Sequence, residues 1–375
     1  MTHVFVVSEK TFDIHLKYMF AGTGNQSFEP NLDCVENNKY EQERALTDMI
    51  ADISKVRTGD KVIFYVTGCK KFFGIFEIAG NAIFQPKKTD NLEKSLGRYL
   101  PFRVRIKPYN VYAEGITEEI ALDDISSIAY PYEMCWSMIY RKLTGLRGCS
   151  FLFDYESKKL ETLIKNNKNS LLSGKNFCYD AKNHKITKMD NPKPFDDSTA
   201  KPLCIDTRLY SLAHGYEGQL QAYILQKYDI DEKLSSKLLP PKFKNKWIGN
   251  EVVCSVGERR IDILIIAETD DEIHIRVVEL KDKKPNKDIF EKQLKWYINW
   301  VKMYVVPNLI CLHKKIKIIP TIIAHKYKNK CSSREEFEKS IEQFYKKSKT
   351  NNSKFDIIKT ECIFYEKSND ALTII

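Results

Sequence analysis

Residues 258–284 read E-R-R-I-D-I-L-I-I-A-E-T-D-D-E-I-H-I-R-V-V-E-L-K-D-K-K, and Asp262, Glu279 and Lys281 within them are the residue types that hydrolyse phosphodiesters. Residues 261–266 and 273–280 are rich in β-branched side chains on either side of Asp270, Asp271 and Glu272, which predicts a β-hairpin. With Asp270 and Asp271 as its turn, Thr269 faces Glu272, and counting down the ladder sets Asp262 opposite Glu279; a bulge would shift that register. Alternation then puts Lys281 on the same face as Glu279, with Val278 and Leu280 on the other. Opposed residues have Cβ atoms roughly 5 Å apart, close enough for two carboxylates to share a hard divalent cation with oxygens about 2.1 Å away. The expected ion is Mg²⁺, with Mn²⁺ able to replace it. Such an ion offsets the repulsion between carboxylates, polarises a phosphodiester and acidifies water, while an ammonium orients that water or neutralises the developing charge. The same three residues also suit a solvated hairpin rim.

A second signal lies on either side of the hairpin. Residues 291–297 read E-K-Q-L-K-W-Y, placing Gln293 and Tyr297 on one helix face, although Tyr297 also continues an apolar stripe with Phe290, Leu294 and Val301. Upstream, G-Y-E-G-Q-L-Q-A-Y-I-L-Q-K-Y over residues 215–228 has Leu220, Tyr223, Ile224 and Tyr228 at helical spacing. With these motifs, residues 206–306 resemble the RecB-like branch of the PD-(D/E)xK nucleases, whose leading Pro is replaced here by Ile261. The resemblance implies Asp262 and Glu279 as metal ligands, Lys281 beside the nucleophile, and Glu217 as a third carboxylate acting directly or through water. It also implies that Gln293 and Tyr297 orient the scissile strand of double-stranded DNA. Cutting both strands calls for two sites, hence a homodimer. A glutamate in a first helical turn, as Glu217 is, also simply complements the helix dipole.

The chain has 375 residues, enough for about two domains, and its 43% hydrophobic and 12% aromatic content is that of a folded protein. No apolar run approaches the roughly 18 to 20 residues that cross a bilayer, and residues 1–20 lack a signal-peptide pattern, so no membrane role and a cytoplasmic location are expected. Ten cysteines without a C-x-x-C pair argue for reduced core thiols over a zinc site or disulfides. Lys and Arg outnumber Asp and Glu by 28 to 26 over residues 1–200, by 32 to 24 over the remainder, and by 12 to 4 over residues 301–350. A basic surface beside a carboxylate site suits a phosphate backbone, though lysine richness also follows from AT-rich coding.

The first half predicts a strand over residues 4–7, a helix over 11–20, a loop to 39 and a helix carrying Leu46, Ile50 and Ile53. Strands K-V-I-F-Y-V-T and F-F-G-I-F-E-I-A-G follow, and then P-F-R-V-R-I-K-P, whose alternation sets Phe102, Val104 and Ile106 against a basic face of Arg103, Arg105 and Lys107. A helix is expected over residues 151–172. This order resembles the PUA-like superfamily, particularly its EVE and YTH branches. The resemblance implies a small barrel that holds a flipped or modified base in an aromatic pocket. Base-binding candidates are Ser8, Tyr18, Phe20, Asn25, Tyr65, Phe72, Phe73 and Trp136, with Tyr65 and Trp136 preferred, although aromatics on strands normally pack in cores.

The expected fold class is a two-domain α/β (α+β) chain. It comprises a PUA-like small β-barrel with helices at residues 1–170, a polar, proline-containing linker at 171–204, and a restriction-endonuclease-like mixed sheet flanked by helices at 205–375. The expected function is a Mg²⁺-dependent DNA endonuclease, modification-dependent if the first domain reads a base. A sequence-specific restriction enzyme, a structure-directed repair nuclease, an RNA-directed nuclease and a non-catalytic nucleic-acid binder are the alternatives.

Overall fold

β-Branched and aromatic runs fill a pleated surface well, and those of the first half become strands. The computed structural model describes residues 1–24, 40–85, 91–97, 99–123, 128–138, 143, 148–167, 170–191, 193, 195–203, 217–254, 259–282, 285–326, 332–349, 354–367 and 372–375. The chain divides into two units, Met1–Cys204 and Ile205–Ile375.

The first unit runs β1 (Thr2–Val7), α1 (Glu9–Tyr18), β2 (Phe20–Thr23), α2 (Tyr40–Ser54), β3 (Lys61–Val66), β4 (Lys71–Ile78), β5 (Ile83–Phe84), α3 (Asn91–Leu96), β6 (Phe102–Pro108) and β7 (Ile116–Thr117). It continues with β8 (Cys149–Leu152), α4 (Asp154–Asn166), β9 (Phe177–Asp180), β10 (Lys185–Lys188) and β11 (Lys201–Pro202). Among the described residues, nine of these strands form one curled sheet in the order β11-β5-β6-β4-β3-β1-β8, with β2 against β6 and β7 against β4, a half-barrel. The β1–β3 pair is parallel, and α1 lies between those strands in the chain. Phe12 on α1 seals the barrel, its ring 5.3 Å from Phe64 and 5.2 Å from Phe73. Each such fully buried aromatic contributes about 1.5–3 kcal/mol by leaving water.

Three expectations for this unit are corrected. Residues 171–204 are not a free linker: β9 and β10 form a hairpin whose Phe177, Tyr179 and Ile186 are buried, and Lys201–Pro202 pairs with β5. Tyr179 packs edge-on against Phe12 at 5.2 Å, so a lysine-rich segment is held by a few alternating apolar residues. The helix expected over 151–172 is shorter, because Cys149–Leu152 adds to the sheet before α4 begins. The β6 face is a basic surface only in part. Arg103 is fully buried, its Nε donating to the Leu100 carbonyl at 2.7 Å, while Arg105 pairs with Asp197 and Lys107 with Glu77. A curled sheet closes one end of that face, which strand alternation cannot foresee.

In the second unit come α5 (Glu217–Lys227), α6 (Glu232–Leu238), β12 (Asn245–Val253), β13 (Arg260–Glu268), β14 (Glu272–Lys281), α7 (Lys295–Trp300), α8 (Val306–Leu309), β15 (Lys315–His325), α9 (Ser332–Ser348), β16 (Phe355–Ile357), β17 (Glu361–Lys367) and β18 (Leu372–Ile374). Single π-helical turns, Phe290–Leu294 and Val301–Val305, flank α7 and make one helical run of the crossover. Among the described residues the seven strands form a mixed sheet, β12-β13-β14-β15-β17-β18, with β16 beside β15. β13 and β14 are antiparallel, and β14 and β15 parallel, as a helical crossover requires. Arg276 pins the layers together: its Nε donates to the Leu238 carbonyl at 3.0 Å, and its guanidinium reaches the Thr321 hydroxyl at 2.8 Å and the Glu361 carboxylate.

Candidate active site

Ile263 pairs with Val278 and Glu268 with Ile273, and the Thr269 amide donates to the Glu272 carbonyl at 2.9 Å, so the register expected from the turn is the one observed. The recorded ladder ends at the Ile263–Val278 pair, and Asp262 and Glu279 are the next residues along the two strands in that register. The two carboxylates meet different donors. Asp262 Oδ2 accepts from the Leu280 amide at 2.7 Å, and Glu279 Oε1 accepts from Lys281 Nζ at 2.6 Å. Lys281 Nζ also donates to Glu217 Oε1 at 3.2 Å, linking α5 to β14.

Gln293 and Tyr297 reach the same place from the crossover helix. The Gln293 side chain lies close enough to both the Glu279 carboxyl and the Tyr297 hydroxyl to favour their ionised forms slightly. Tyr297 is 5% exposed, and burial, followed by the charges of Glu279 and Asp262, raises its pKa, which keeps it a phenol. Burial likewise raises the pKa of Asp262, reinforced by Glu279 and Glu251, and burial raises that of Glu279 against the pull of Lys281. For Lys281 burial works towards the neutral amine, but Glu279, Glu217 and Asp262 outweigh it and raise its pKa. It is therefore an ammonium at neutral pH.

The acidic pair fits a hard cation. Glu279 is 1% exposed and its Oε2 is buried without a hydrogen-bond partner, an orphaned acceptor on a carboxyl that interacts electrostatically with Asp262. That oxygen-only pair suits Mg²⁺ or Mn²⁺. The oxygens of Glu217, Asp262 and Glu279 do not all lie within 4.8 Å of one another, because Lys281 occupies the space between Glu217 and Glu279. The chemistry of the pair therefore suits such an ion, while Glu217 is held away by its bond to Lys281.

Sequence reasoning missed the layer behind Asp262. Gln221 Nε2 donates to the Asp262 carbonyl at 2.9 Å and to Glu251 Oε1 at 3.1 Å, and Gln221 Oε1 accepts from Asn250 at 3.2 Å. Gln221 sits four residues after Glu217, one helical turn along the same face, and that spacing was the signal available. Beside the site, the Trp296 indole donates to the Cys254 carbonyl at 3.2 Å and stacks under the Arg259 guanidinium at 4.6 Å.

The base-binding candidates of the first unit do not converge on one cavity. Ser8 caps α1, its Oγ accepting from the Thr11 amide at 3.3 Å. Tyr65, Phe72 and Phe73 are buried, Tyr65 and Phe72 in one core cluster with the Tyr65 hydroxyl donating to Glu118. Phe20 anchors a second cluster that Tyr18 packs against. Trp136 is 7% exposed and its indole donates to the Pro131 carbonyl at 2.9 Å. Asn25 lies outside the described residues. A pair not singled out from sequence is more open: Tyr130 and Tyr132 stack with ring centroids 5.2 Å apart and planes 7° apart, and Tyr130 is 55% exposed.

Residues 48–135 match the family model of the EVE domain, less than a quarter of the chain. The span begins in α2, takes in β3 to β7 and ends beside Trp136. The match supports the first unit as a PUA-like, base-binding domain. No curated protein matches the chain. Among the described residues, no helix is long and apolar enough to cross a membrane.

Proposed function

We propose that the chain is a Mg²⁺-dependent DNA endonuclease of the modification-dependent restriction type, with a base-reading first unit and a cutting second unit. The observation that carries the cutting role is the meeting of Asp262, Glu279 and Lys281 at one end of the β13–β14 hairpin, with Gln293 and Tyr297 delivered there by the crossover helix. The EVE-domain match supports the reading role, and the exposed Tyr130–Tyr132 stack is a surface on which an extruded base gains about 1–3 kcal/mol.

Asp262 and Glu279 would hold the ion. Mg²⁺, or Mn²⁺ in its place, supplies Lewis acidity and a more acidic water. As an ammonium, Lys281 is a donor and not a base, so it orients the attacking water or stabilises charge developing on the phosphate oxygens. Gln221 fixes the Asp262 backbone and Gln293 would favour the ionised Glu279 carboxylate, which would set the two acids before substrate arrives. Hydrolysis leaves 5′-phosphates, and a homodimer supplies the second site for the opposite strand.

The test is digestion of one plasmid prepared with and without base modification, in Mg²⁺ and in EDTA. Cleavage confined to modified DNA in Mg²⁺ is expected. Equal cutting of both at fixed positions would replace the modification reading with an orthodox restriction enzyme. Binding without any Mg²⁺-dependent cleavage of DNA or RNA would leave a non-catalytic binder.

A further inference from the structure

We propose that Glu9, Cys69 and His184 form a metal site in the first unit, for a borderline divalent ion such as Zn²⁺. Among the described residues these three are the group whose ligand atoms all lie within 4.8 Å of one another, with His184 Nδ1 3.2 Å from Glu9 Oε1. Ligand atoms on one tetrahedral ion stand roughly 3.3–3.7 Å apart, given bonds of about 2.0–2.3 Å, so the three are close to ligating distance without rearranging the fold. All three are partly exposed, which leaves an entry path.

Each ligand comes from a different place in the chain and each is locally built. Glu9 opens α1. Cys69 sits in the connection between β3 and β4, next to Gly68, where an added Cβ would come within 2.8 Å of Glu9 Cγ; glycine is what leaves room for that carboxylate. His184 lies in the β9–β10 turn at φ 50°, a left-handed position that non-glycine residues seldom take. The donor set is sulfur, nitrogen and oxygen, which Zn²⁺ accepts and Mg²⁺ does not favour. This separates the site chemically from the oxygen-only pair of the second unit.

Tyr179 orients the ligands. Its hydroxyl lies 3.4 Å from Glu9 Oε1, 3.3 Å from Cys69 Sγ and 2.9 Å from His184 Nδ1, so one phenol is within reach of all three side chains. An ion there would release the Cys69 proton on binding and tie α1, the β3–β4 connection and the β9–β10 hairpin together.

Titrating the full-length protein with Co²⁺ in excess Mg²⁺ tests this. One equivalent should give tetrahedral d–d bands with a thiolate charge-transfer band, reversed by Zn²⁺, and Zn²⁺ should raise the thermal midpoint. Cys69→Ser should lose the charge-transfer band, and His184→Gln should weaken binding about tenfold or more. Thermal midpoints in EDTA, expected to match wild type, separate lost ligation from lost folding. Absence of the band in the wild-type protein would overturn the site and leave a hydrogen-bond network around Tyr179, and so would its persistence in a folded Cys69→Ser variant.

Discussion

Glu279 and Lys281, two positions apart on β14, meet through their side chains at 2.6 Å, because successive side chains of a strand alternate faces and these two share one. The pair keeps a buried carboxylate ionisable and a partly buried amine charged. Each would otherwise be driven towards its neutral form by desolvation.

Removing Lys281 leaves Glu279 uncompensated, and removing Asp262 takes away the second acid of the site. Lys281→Ala and Asp262→Ala are each expected to lower cleavage by at least about 10²-fold, while binding to DNA in Ca²⁺ persists. Cleavage rates and gel-shift affinities on the same duplex check this. Wild-type cutting by Lys281→Ala would remove the assignment.

In the proposed mechanism Gln293 acts through Glu279 rather than on substrate. Gln293→Ala should therefore lower kcat by about tenfold with little change in KM, and should raise the Mg²⁺ concentration needed for half-maximal rate. An unchanged Mg²⁺ dependence would confine Gln293 to packing.

Arg105 and Lys107 are engaged by Asp197 and Glu77. The double substitution to alanine is expected to change DNA affinity by less than about twofold and to leave the salt slope unaltered, since each phosphate that a side chain ceased to neutralise would flatten it by about one unit. Filter binding across a salt series measures both.

Glu156 gives the first unit a pH dependence. It is fully buried, accepts from the Ser137 amide at 2.9 Å and the Phe153 amide at 2.8 Å, and burial pushes its pKa up to about 7 from 4.5 despite those bonds. The folded state binds the proton more tightly, so the stabilisation is complete below about pH 4.5 and is lost as pH rises towards 7, on the order of 3 kcal/mol in all. Thermal midpoints over that window should fall in the wild type, and the slope should flatten in Glu156→Gln.

What the sequence revealed depended on distance along the chain. The Asp262–Glu279 register followed from strand alternation and a two-residue turn, and Gln293 from helical spacing, because each relation is local. Alternation sets Arg103 on an exposed face, because it assigns faces without saying which one a curled sheet covers. The β9–β10 hairpin hid behind lysines and prolines, since only Phe177, Tyr179 and Ile186 carry its packing. Glu9, Cys69 and His184 have no spacing that a motif could record, and three-dimensional closure alone brings them together.

The tight turn between β13 and β14 has a kinetic corollary. A hairpin closes on the microsecond scale, whereas parallel pairing of β14 with β15 waits for the whole crossover to fold. The acidic pair can thus be in register early, while the tyrosine hydroxyl of Tyr365, which donates to the Lys281 carbonyl at 3.2 Å, arrives only with the last strands. A folding chain would carry its acids before the fittings that aim them, and the proposed cutting site would be complete only once β17 has joined the sheet.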